Sequence, residues 1–196
     1  MKKFRFDKAY YDRFYGNRET RVTTQRSIHR LGNFVCHYLK HLAQPVRNTL
    51  DLGCGLGYWQ AVVKRHFPRS DYQGVEVSPY LCREFGWQRG SVVDYDAPEA
   101  FDFVICQGVL QYLPAAEARR AIENLGLLSR GALYLEVLTR RDWELNCDRS
   151  VTDGDVYLRE GAWYRRELGR YFVHAGGGVW LSLRSPVVYF EMEIAE

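Results

Sequence analysis

The sequence predicts an α/β fold built on a mainly parallel sheet, and three observations carry that prediction. Short strand-like stretches alternate with helical patterns from about residue 47 to residue 137. A glycine-rich run at 53–57 stands between the first strand and the first helix of this alternation. The stretch 101–106 is almost continuously apolar, which is typical of a strand buried on both faces of a parallel sheet.

The spacing of apolar residues places each element in turn. A helix is predicted over 20–43, because Ile28, Leu31, Val35 and Leu39 recur on one helical face. Beyond it, strands are predicted at 47–52, 72–77, 90–94, 101–106 and 131–137, and helices at 57–67, 79–86 and 114–128.

The alternation changes after residue 138. Residues 139–158 are polar and irregular, and a loop of that length in a compact domain is usually functional. A helix is predicted over 160–173 and is expected to end at the glycines 176–178. Strands are then predicted at 179–183 and 187–194, so that the chain closes with an antiparallel hairpin.

Length and composition indicate one globular domain over residues 1–196. No apolar run approaches the roughly 18 residues of a membrane span, and the first residues lack the features of a signal peptide. We therefore expect a cytoplasmic protein without a membrane partner. The five cysteines form no C-x-x-C pair, so neither a disulfide framework nor a metal site is expected.

Charge is unevenly distributed along the chain. Residues 1–47 hold eleven Lys or Arg and three Asp or Glu, a balance of +8, whereas the whole chain carries +3. A basic segment can attract an anionic partner such as RNA. The same charge also fits the solvated surface of a helix, and the sequence leaves both interpretations open.

The glycine run has the spacing D-x-G-x-G-x-G, from Asp51 to Gly57. Glycine tolerates positive φ and has no Cβ, so such a turn lets a nucleotide-like ligand approach the backbone closely. Tyr58 occupies the last glycine position of a dinucleotide fingerprint, and the Lys of a phosphate-binding P-loop is missing.

Three further features follow the carboxyl ends of successive predicted strands. Glu76 ends the second strand and is suited to accept hydrogen bonds from two ribose hydroxyls. Val93 and Asp94 end the third strand, where an apolar side chain can pack on a base and a carboxylate can accept from an amino group. Gln107 follows the fourth strand. Ligands bind at this edge of open α/β sheets.

In this order, the motifs resemble those of the class I S-adenosylmethionine-dependent methyltransferases over residues 47–137 and in the closing hairpin. The resemblance implies a Rossmann-like, seven-stranded, mostly parallel sheet with helices on both faces. It implies that Asp51, Gly53, Cys54 and Gly55 contact the methionine part of S-adenosylmethionine. It further implies that Glu76 binds the ribose beside Val77, that Asp94 binds the adenine amino group, and that Gln107 lies beside the donor.

The resemblance also implies methyl transfer to a small-molecule acceptor by direct displacement. It divides the chain into a helical cap (1–45), a cofactor-binding core (46–138), a substrate or lid region (139–175) and a hairpin (176–196). Acceptor contacts are expected from the segments outside the core, and five residues are candidates: Tyr11, Tyr15, Arg18, Trp143 and Tyr164. Ordinary packing or a solvated charge is the alternative for each of them.

Two other functions stay open at this stage. The +8 segment leaves room for an RNA or protein acceptor, although the sequence contains no recognised nucleic-acid module. A protein that binds the cofactor without transferring its methyl group would satisfy the same motifs, because a fold does not determine a function.

Overall fold

The computed structural model describes residues 6–195, so the first five residues of the predicted basic segment lie outside it. The strands are β1 (Asn48–Leu52), β2 (Asp71–Glu76), β3 (Gln88–Arg89), β4 (Phe101–Gln107), β5 (Ser129–Glu136), β6 (Phe172–His174) and β7 (Val179–Ser182). The helices are α1 (Lys8–Tyr11), α2 (Gln25–His41), α3 (Tyr58–His66), α4 (Pro79–Phe85), α5 (Ala115–Leu128), α6 (Arg140–Leu145) and α7 (Gly161–Leu168). A π-helical turn at Asp12–Gly16 and 3₁₀ turns at Leu110–Tyr112 and Glu191–Glu193 complete the list.

All seven strands form one sheet in the order β3-β2-β1-β4-β5-β7-β6. Strands β1 to β5 pair in parallel, whereas β7 is antiparallel to both β5 and β6. The predicted fold class is confirmed. Because parallel strands end at the same edge, β2, β4 and β5 bring Glu76, Gln107 and Glu136 to the edge where the glycine turn follows β1.

Helices cover both faces of the sheet, and the alternation of the strands supplies a core to each side. In β4, Phe103 and Ile105 face one core, which α2 and α3 close with residues such as Val35 and Trp59. Val104 of the same strand faces the other core. That core is closed by α5 and α7 with Ile122, Leu125 and Leu168, all of which are buried.

The closing hairpin lies earlier in the chain than predicted. It consists of β6 and β7, and the residues 187–194 do not form a strand. The glycines 176–178 all adopt positive φ, between 57° and 82°, so they form the hairpin turn instead of ending a long helix. Helix α7 accordingly ends at Leu168, before the first hairpin strand.

The third strand also differs from the prediction over 90–94. Strand β3 has only two residues, Gln88 and Arg89. Residues 91–95 form a turn in which the backbone N–H groups of Asp94 and Tyr95 both donate to the Ser91 carbonyl, at 3.2 and 2.8 Å. A backbone committed to these turn bonds is not available to extend the ladder.

Candidate functional site

The glycine turn after β1 has the open backbone that its spacing predicts. Gly53, Gly55 and Gly57 have φ values of 77°, 54° and 71°, a region that favours glycine. A Cβ at Gly53 would collide with the side chain of Val109, so the absence of a side chain is required there by packing as well. The Gly53 N–H donates to the Val75 carbonyl at 2.8 Å, which joins the turn to β2.

Glu76 is fixed against this turn by backbone groups. Its side chain is buried, and its Oε2 accepts the Gly55 N–H at 3.0 Å. Its Oε1 accepts the N–H groups of Val77 and Ser78 at 2.8 and 2.9 Å. Burial raises the pKa of Glu76, while these three bonds oppose the increase. Oε2 accepts the Gly55 N–H and retains acceptor capacity for a ligand hydroxyl.

A first cavity of about 610 Å³ opens beside Glu76. Seven of the predicted site residues line it: Tyr11, Tyr15, Gly53, Gly55, Glu76, Val77 and Gln107. Its other walls include Phe6, Ser91, Val92, Val109 and Tyr112. The volume and the mixture of apolar walls with a few polar groups are typical of a small-molecule site.

Val93 and Asp94 do not line this cavity. Asp94 is exposed, and Val93 is partly buried against the core. Their neighbours Ser91 and Val92 line the cavity instead, because the short β3 places the turn one to two residues earlier than the sequence pattern indicated. The predicted adenine contacts of Val93 and Asp94 therefore find no support in the geometry.

A second cavity of about 520 Å³ adjoins the first. The two share seven lining residues: Tyr10, Tyr15, Gly53, Gly55, Gln107, Gly108 and Tyr112. Asp51 and Cys54, which were predicted to contact the cofactor, line only the second cavity. The two spaces thus meet at the glycine turn and at the end of β4.

Asp51 is an unusual carboxyl group at this junction. It is almost fully buried and accepts a hydrogen bond of 2.5 Å from the Tyr72 hydroxyl. Burial raises its pKa to about 7, the charge of Glu76 adds to the increase, and the Tyr72 bond opposes it. Asp51 can therefore change its charge near neutral pH.

Gln107 is held in place at the boundary between the cavities. Its Oε1 accepts the indole N–H of Trp59 at 2.7 Å, and its Nε2 donates to Oε2 of Glu136 at 3.2 Å. The same Glu136 oxygen accepts the Tyr134 hydroxyl at 2.9 Å. This network links α3, β4 and β5 and fixes the orientation of the Gln107 amide.

The N-terminal segment 6–15 lies over the first cavity. The Phe6 carbonyl accepts the Ser78 hydroxyl at 2.5 Å, and the hydroxyls of Tyr10 and Tyr112 are 2.7 Å apart. Tyr11 is 8% exposed, although it belongs to a four-residue helix at the surface. Burial raises the pKa of Tyr15 to about 12, so this phenol stays neutral at physiological pH.

The other predicted acceptor residues lie outside both cavities. Arg18 is exposed in the turn before α2. Trp143 stabilises its own loop, since the guanidinium of Arg149 stacks 5.5 Å from its ring centroid. Tyr164 is 3% exposed within the core, and its hydroxyl accepts a hydrogen bond of 2.9 Å from Arg159.

Several lining residues were not predicted from the sequence. Gln111 and Tyr112 lie in the 3₁₀ turn after β4, and Glu136 ends β5. The position of Glu136 at the end of a parallel strand was a usable signal, because that edge is where ligands bind. Asp153 reaches the second cavity from the irregular loop, and no local pattern marks it.

The sheet order, the glycine turn and the buried carboxylate at the end of β2 are features typical of α/β domains that bind nucleosides. Comparison with known proteins specifies the class further. Residues 50–132 match the family model described as methyltransferase domain. A malonyl-[acyl-carrier protein] O-methyltransferase of Anoxybacillus flavithermus is 22% identical over 105 residues, which are 48% of this chain. The match covers 40% of the length of that relative.

Solved structures share the fold across most of the chain. CalS10, an amino pentose methyltransferase from Micromonospora echinaspora solved with S-adenosylmethionine, aligns with a TM-score of 0.61 and 16% identity, covering 94% of this chain and all of CalS10. Magnesium protoporphyrin IX methyltransferase from Synechocystis, solved with S-adenosylhomocysteine, has a TM-score of 0.57 and 18% identity, covering 80% of this chain and 83% of its own. DesVI from Streptomyces venezuelae has a TM-score of 0.58 and 12% identity, covering 80% of this chain and 92% of DesVI.

The match to the methyltransferase domain covers residues 50–132, and the chain shares its fold with S-adenosylmethionine-dependent methyltransferases. Both findings agree with the predicted methyltransferase family, enzyme class and cofactor. Among residues 6–195, no helix combines the length and apolar character needed to cross a membrane.

Proposed function

We propose that this chain methylates a small-molecule acceptor, with the cofactor in the first cavity and the acceptor in the second. The observation that carries the proposal is the pair of adjoining cavities that share the glycine turn and Gln107. A donor and an acceptor in these spaces would meet at that boundary. Holding two reactants in contact is the main requirement of a direct displacement.

The residues of the first cavity fit the proposed cofactor. The positive φ of Gly53 and Gly55 leaves the backbone free of side chains, and Glu76 presents a carboxylate to ribose hydroxyls. Val92 supplies an apolar wall for a base. When bound, S-adenosylmethionine supplies a methyl group already activated by its sulfonium sulfur. The chain's task is then to bind and orient both molecules and to exclude water.

A small acceptor also agrees with the shape and charge of the site. The N-terminal segment covers the first cavity, and no Lys or Arg of the described residues lines either cavity. Within residues 6–47, the basic segment therefore places no Lys or Arg side chain in the cavity walls for an RNA acceptor. Relatives of similar fold are described as acting on an amino pentose or a magnesium porphyrin. A cytoplasmic location is part of this proposal.

Calorimetric titration with S-adenosylmethionine, S-adenosylhomocysteine and NAD tests the cofactor assignment. We expect micromolar affinity for the first two and none for NAD, because Tyr58 replaces the glycine that a dinucleotide requires. Binding of NAD alone, or of none of the three, would overturn the proposal. Methyl transfer to RNA but to no small molecule would instead favour the nucleic-acid alternative.

A further inference from the structure

Resting on the proposed function, we infer that the second cavity takes an acceptor that carries a positively charged amine. The inference concerns how the acceptor is recognised. It depends on the charge of the cavity walls, on one buried acceptor atom without a partner, and on the aromatic side chains around them.

The acidic groups in the walls of the second cavity are not balanced by basic ones. Four carboxyl groups line it, and no Lys, Arg or His of the described chain does: the four are Asp51, Glu136, Asp142 and Asp153. Asp142 is occupied by the cap of α6, where it accepts the Thr139 hydroxyl and the Asn146 amide. Within low-dielectric walls, carboxylates of one sign concentrate cations and repel anions.

Glu136 and Asp153 retain acceptor capacity after their internal bonds are counted. Both recorded bonds to Glu136 end on Oε2, from Gln107 and Tyr134. The recorded bond to Asp153 ends on Oδ1, from the Asp155 N–H at 3.0 Å. A carboxylate offers about four acceptor positions, so each can bind an ammonium group in addition.

Gln111 supplies an independent indication of a ligand that donates hydrogen bonds. It lines the second cavity and is only 7% exposed. Its Nε2 donates to the Gly108 carbonyl at 2.9 Å, whereas its buried Oε1 has no hydrogen-bond partner within residues 6–195. Leaving a buried acceptor unpaired is costly, and an N–H donor of a bound molecule would satisfy it.

Aromatic rings complete an environment suited to an organic cation. Six of them line the second cavity: Tyr10, Phe14, Tyr15, Tyr58, Trp59 and Tyr112. The faces of such rings attract ammonium groups. Acidic groups, an unpaired amide oxygen and aromatic rings thus favour the same chemical class, which is a compact molecule with a protonated amine.

The test uses the whole chain loaded with S-adenosylhomocysteine and two sets of probes that share a skeleton but differ in charge. One set is tyramine, tyrosol and 4-hydroxyphenylacetate, and the other is glucosamine, glucose and glucuronate. Binding is followed by saturation-transfer NMR and calorimetry. We expect the amine of at least one set to bind at least about tenfold more tightly than its alcohol, the factor of one charge-assisted hydrogen bond. The carboxylate member should not bind.

Three variants connect that preference to the cavity. Glu136→Gln and Asp153→Asn should each weaken amine binding by about tenfold or more. The affinity for S-adenosylhomocysteine should stay unchanged in Asp153→Asn, because Asp153 lines only the second cavity. Glu144→Gln is the matched control, since Glu144 is an exposed carboxylate on α6 that lines neither cavity. Its amine affinity should equal that of the parent chain.

Different failures of this experiment have different meanings. Equal binding of amine and alcohol, preference for the carboxylate, or no amine binding at millimolar concentration would overturn the inference and leave the proposed function standing. Failure of the parent chain to bind S-adenosylhomocysteine would overturn the proposed function itself.

Discussion

Glu76 is the residue whose removal should affect cofactor binding most directly. In Glu76→Ala, three backbone N–H groups at the glycine turn lose their acceptor, and a ligand hydroxyl loses its partner. We expect the affinity for S-adenosylhomocysteine to fall by roughly 1.5–3 kcal/mol, the range for a hydrogen bond to a charged group. Calorimetry measures the change. Glu84→Ala, at an exposed position of α4, is the control, and an unchanged affinity in Glu76→Ala would remove Glu76 from the ribose site.

Asp51 should make cofactor binding depend on pH. Its pKa is raised to about 7 by burial, so the group is neutral below that pH and negative above it. S-adenosylmethionine is a cation at its sulfur, so its affinity should increase from about pH 6 to about pH 8 as Asp51 ionises. Asp51→Asn should abolish this increase, whereas Asp71→Asn, at an exposed position of β2, should preserve it. A pH-independent affinity in the parent chain would contradict the expectation.

Ionisation of Asp51 should strengthen cofactor binding but lower the free energy of unfolding. Between about pH 4 and pH 7, the folded chain holds a proton on Asp51 that the unfolded chain has released. The Asp51 contribution to the free energy of unfolding should therefore decrease as pH rises through this interval and remain constant above it. Denaturant titrations of the parent chain and of Asp51→Asn would measure this contribution as a difference.

The site residues that could be predicted are those at the ends of strands. Gly53 and Gly55 come just after β1, and Glu76 and Gln107 end β2 and β4, so parallel pairing fixes their common edge. Val93 was predicted because it ends the strand expected at 90–94. In the structure β3 ends at Arg89, so Val93 lies in the turn that follows the strand. Asp153 depends on how the loop after β5 folds back over the sheet, which no local spacing encodes.

At the scale of the elements, Asp102 secures the end of β4 opposite to the site. Its carboxylate accepts the Arg47 N–H at 2.8 Å and the Arg130 side chain at 2.7 Å, and thus connects the residue before β1 to the start of β5. Asp102→Ala would leave both donors unpaired. We expect the free energy of unfolding to fall by about 1.5–3 kcal/mol, with no change in cofactor affinity. Urea denaturation and calorimetry on one preparation separate the two effects.

A direct pH effect accompanies this contact. Burial acts to raise the pKa of Asp102, but the bonds from Arg130 and Arg47 outweigh it and lower the pKa below its usual value. The stability that this carboxylate contributes is therefore present above its unfolded pKa and is lost as the pH falls through the folded value. Asp102→Ala should be less sensitive to acid than the parent chain over that range.

The elements that could be predicted are those whose apolar pattern agrees with the local turn chemistry. Helix α4 begins at Pro79 after the Ser78 cap, and β4 matches its apolar run to within a residue. The end of the chain misled the prediction, because Val187 to Ile194 alternates as a strand would. In the structure, apolar side chains of this stretch are exposed to solvent, with Val188 at 86% and Met192 at 94%.

At the scale of the whole molecule, we expect the segment 6–15 to move when the cofactor enters or leaves the first cavity. The Tyr10 to Tyr112 contact and the Ser78 bond to Phe6 hold this segment closed, and Tyr11 lines the space beneath it. A ligand that binds only the closed arrangement stabilises it by RT ln(1 + [L]/Kd), where [L] is the free ligand concentration. We therefore expect S-adenosylhomocysteine to slow tryptic cleavage at the exposed Arg13, Arg18 and Arg21.

Mass spectrometry of timed digests would follow each cleavage site separately. The exposed Arg149 in the loop after α6 serves as an internal control for the N-terminal cleavage sites. The variant Tyr112→Phe tests whether the Tyr10 to Tyr112 contact holds the segment closed. Because this variant lacks one hydroxyl of the Tyr10 to Tyr112 contact, its N-terminal segment should be cut faster than that of the parent chain, both with and without ligand. Cleavage at Arg13 that is equally fast with saturating S-adenosylhomocysteine would show that the segment does not close over the bound cofactor.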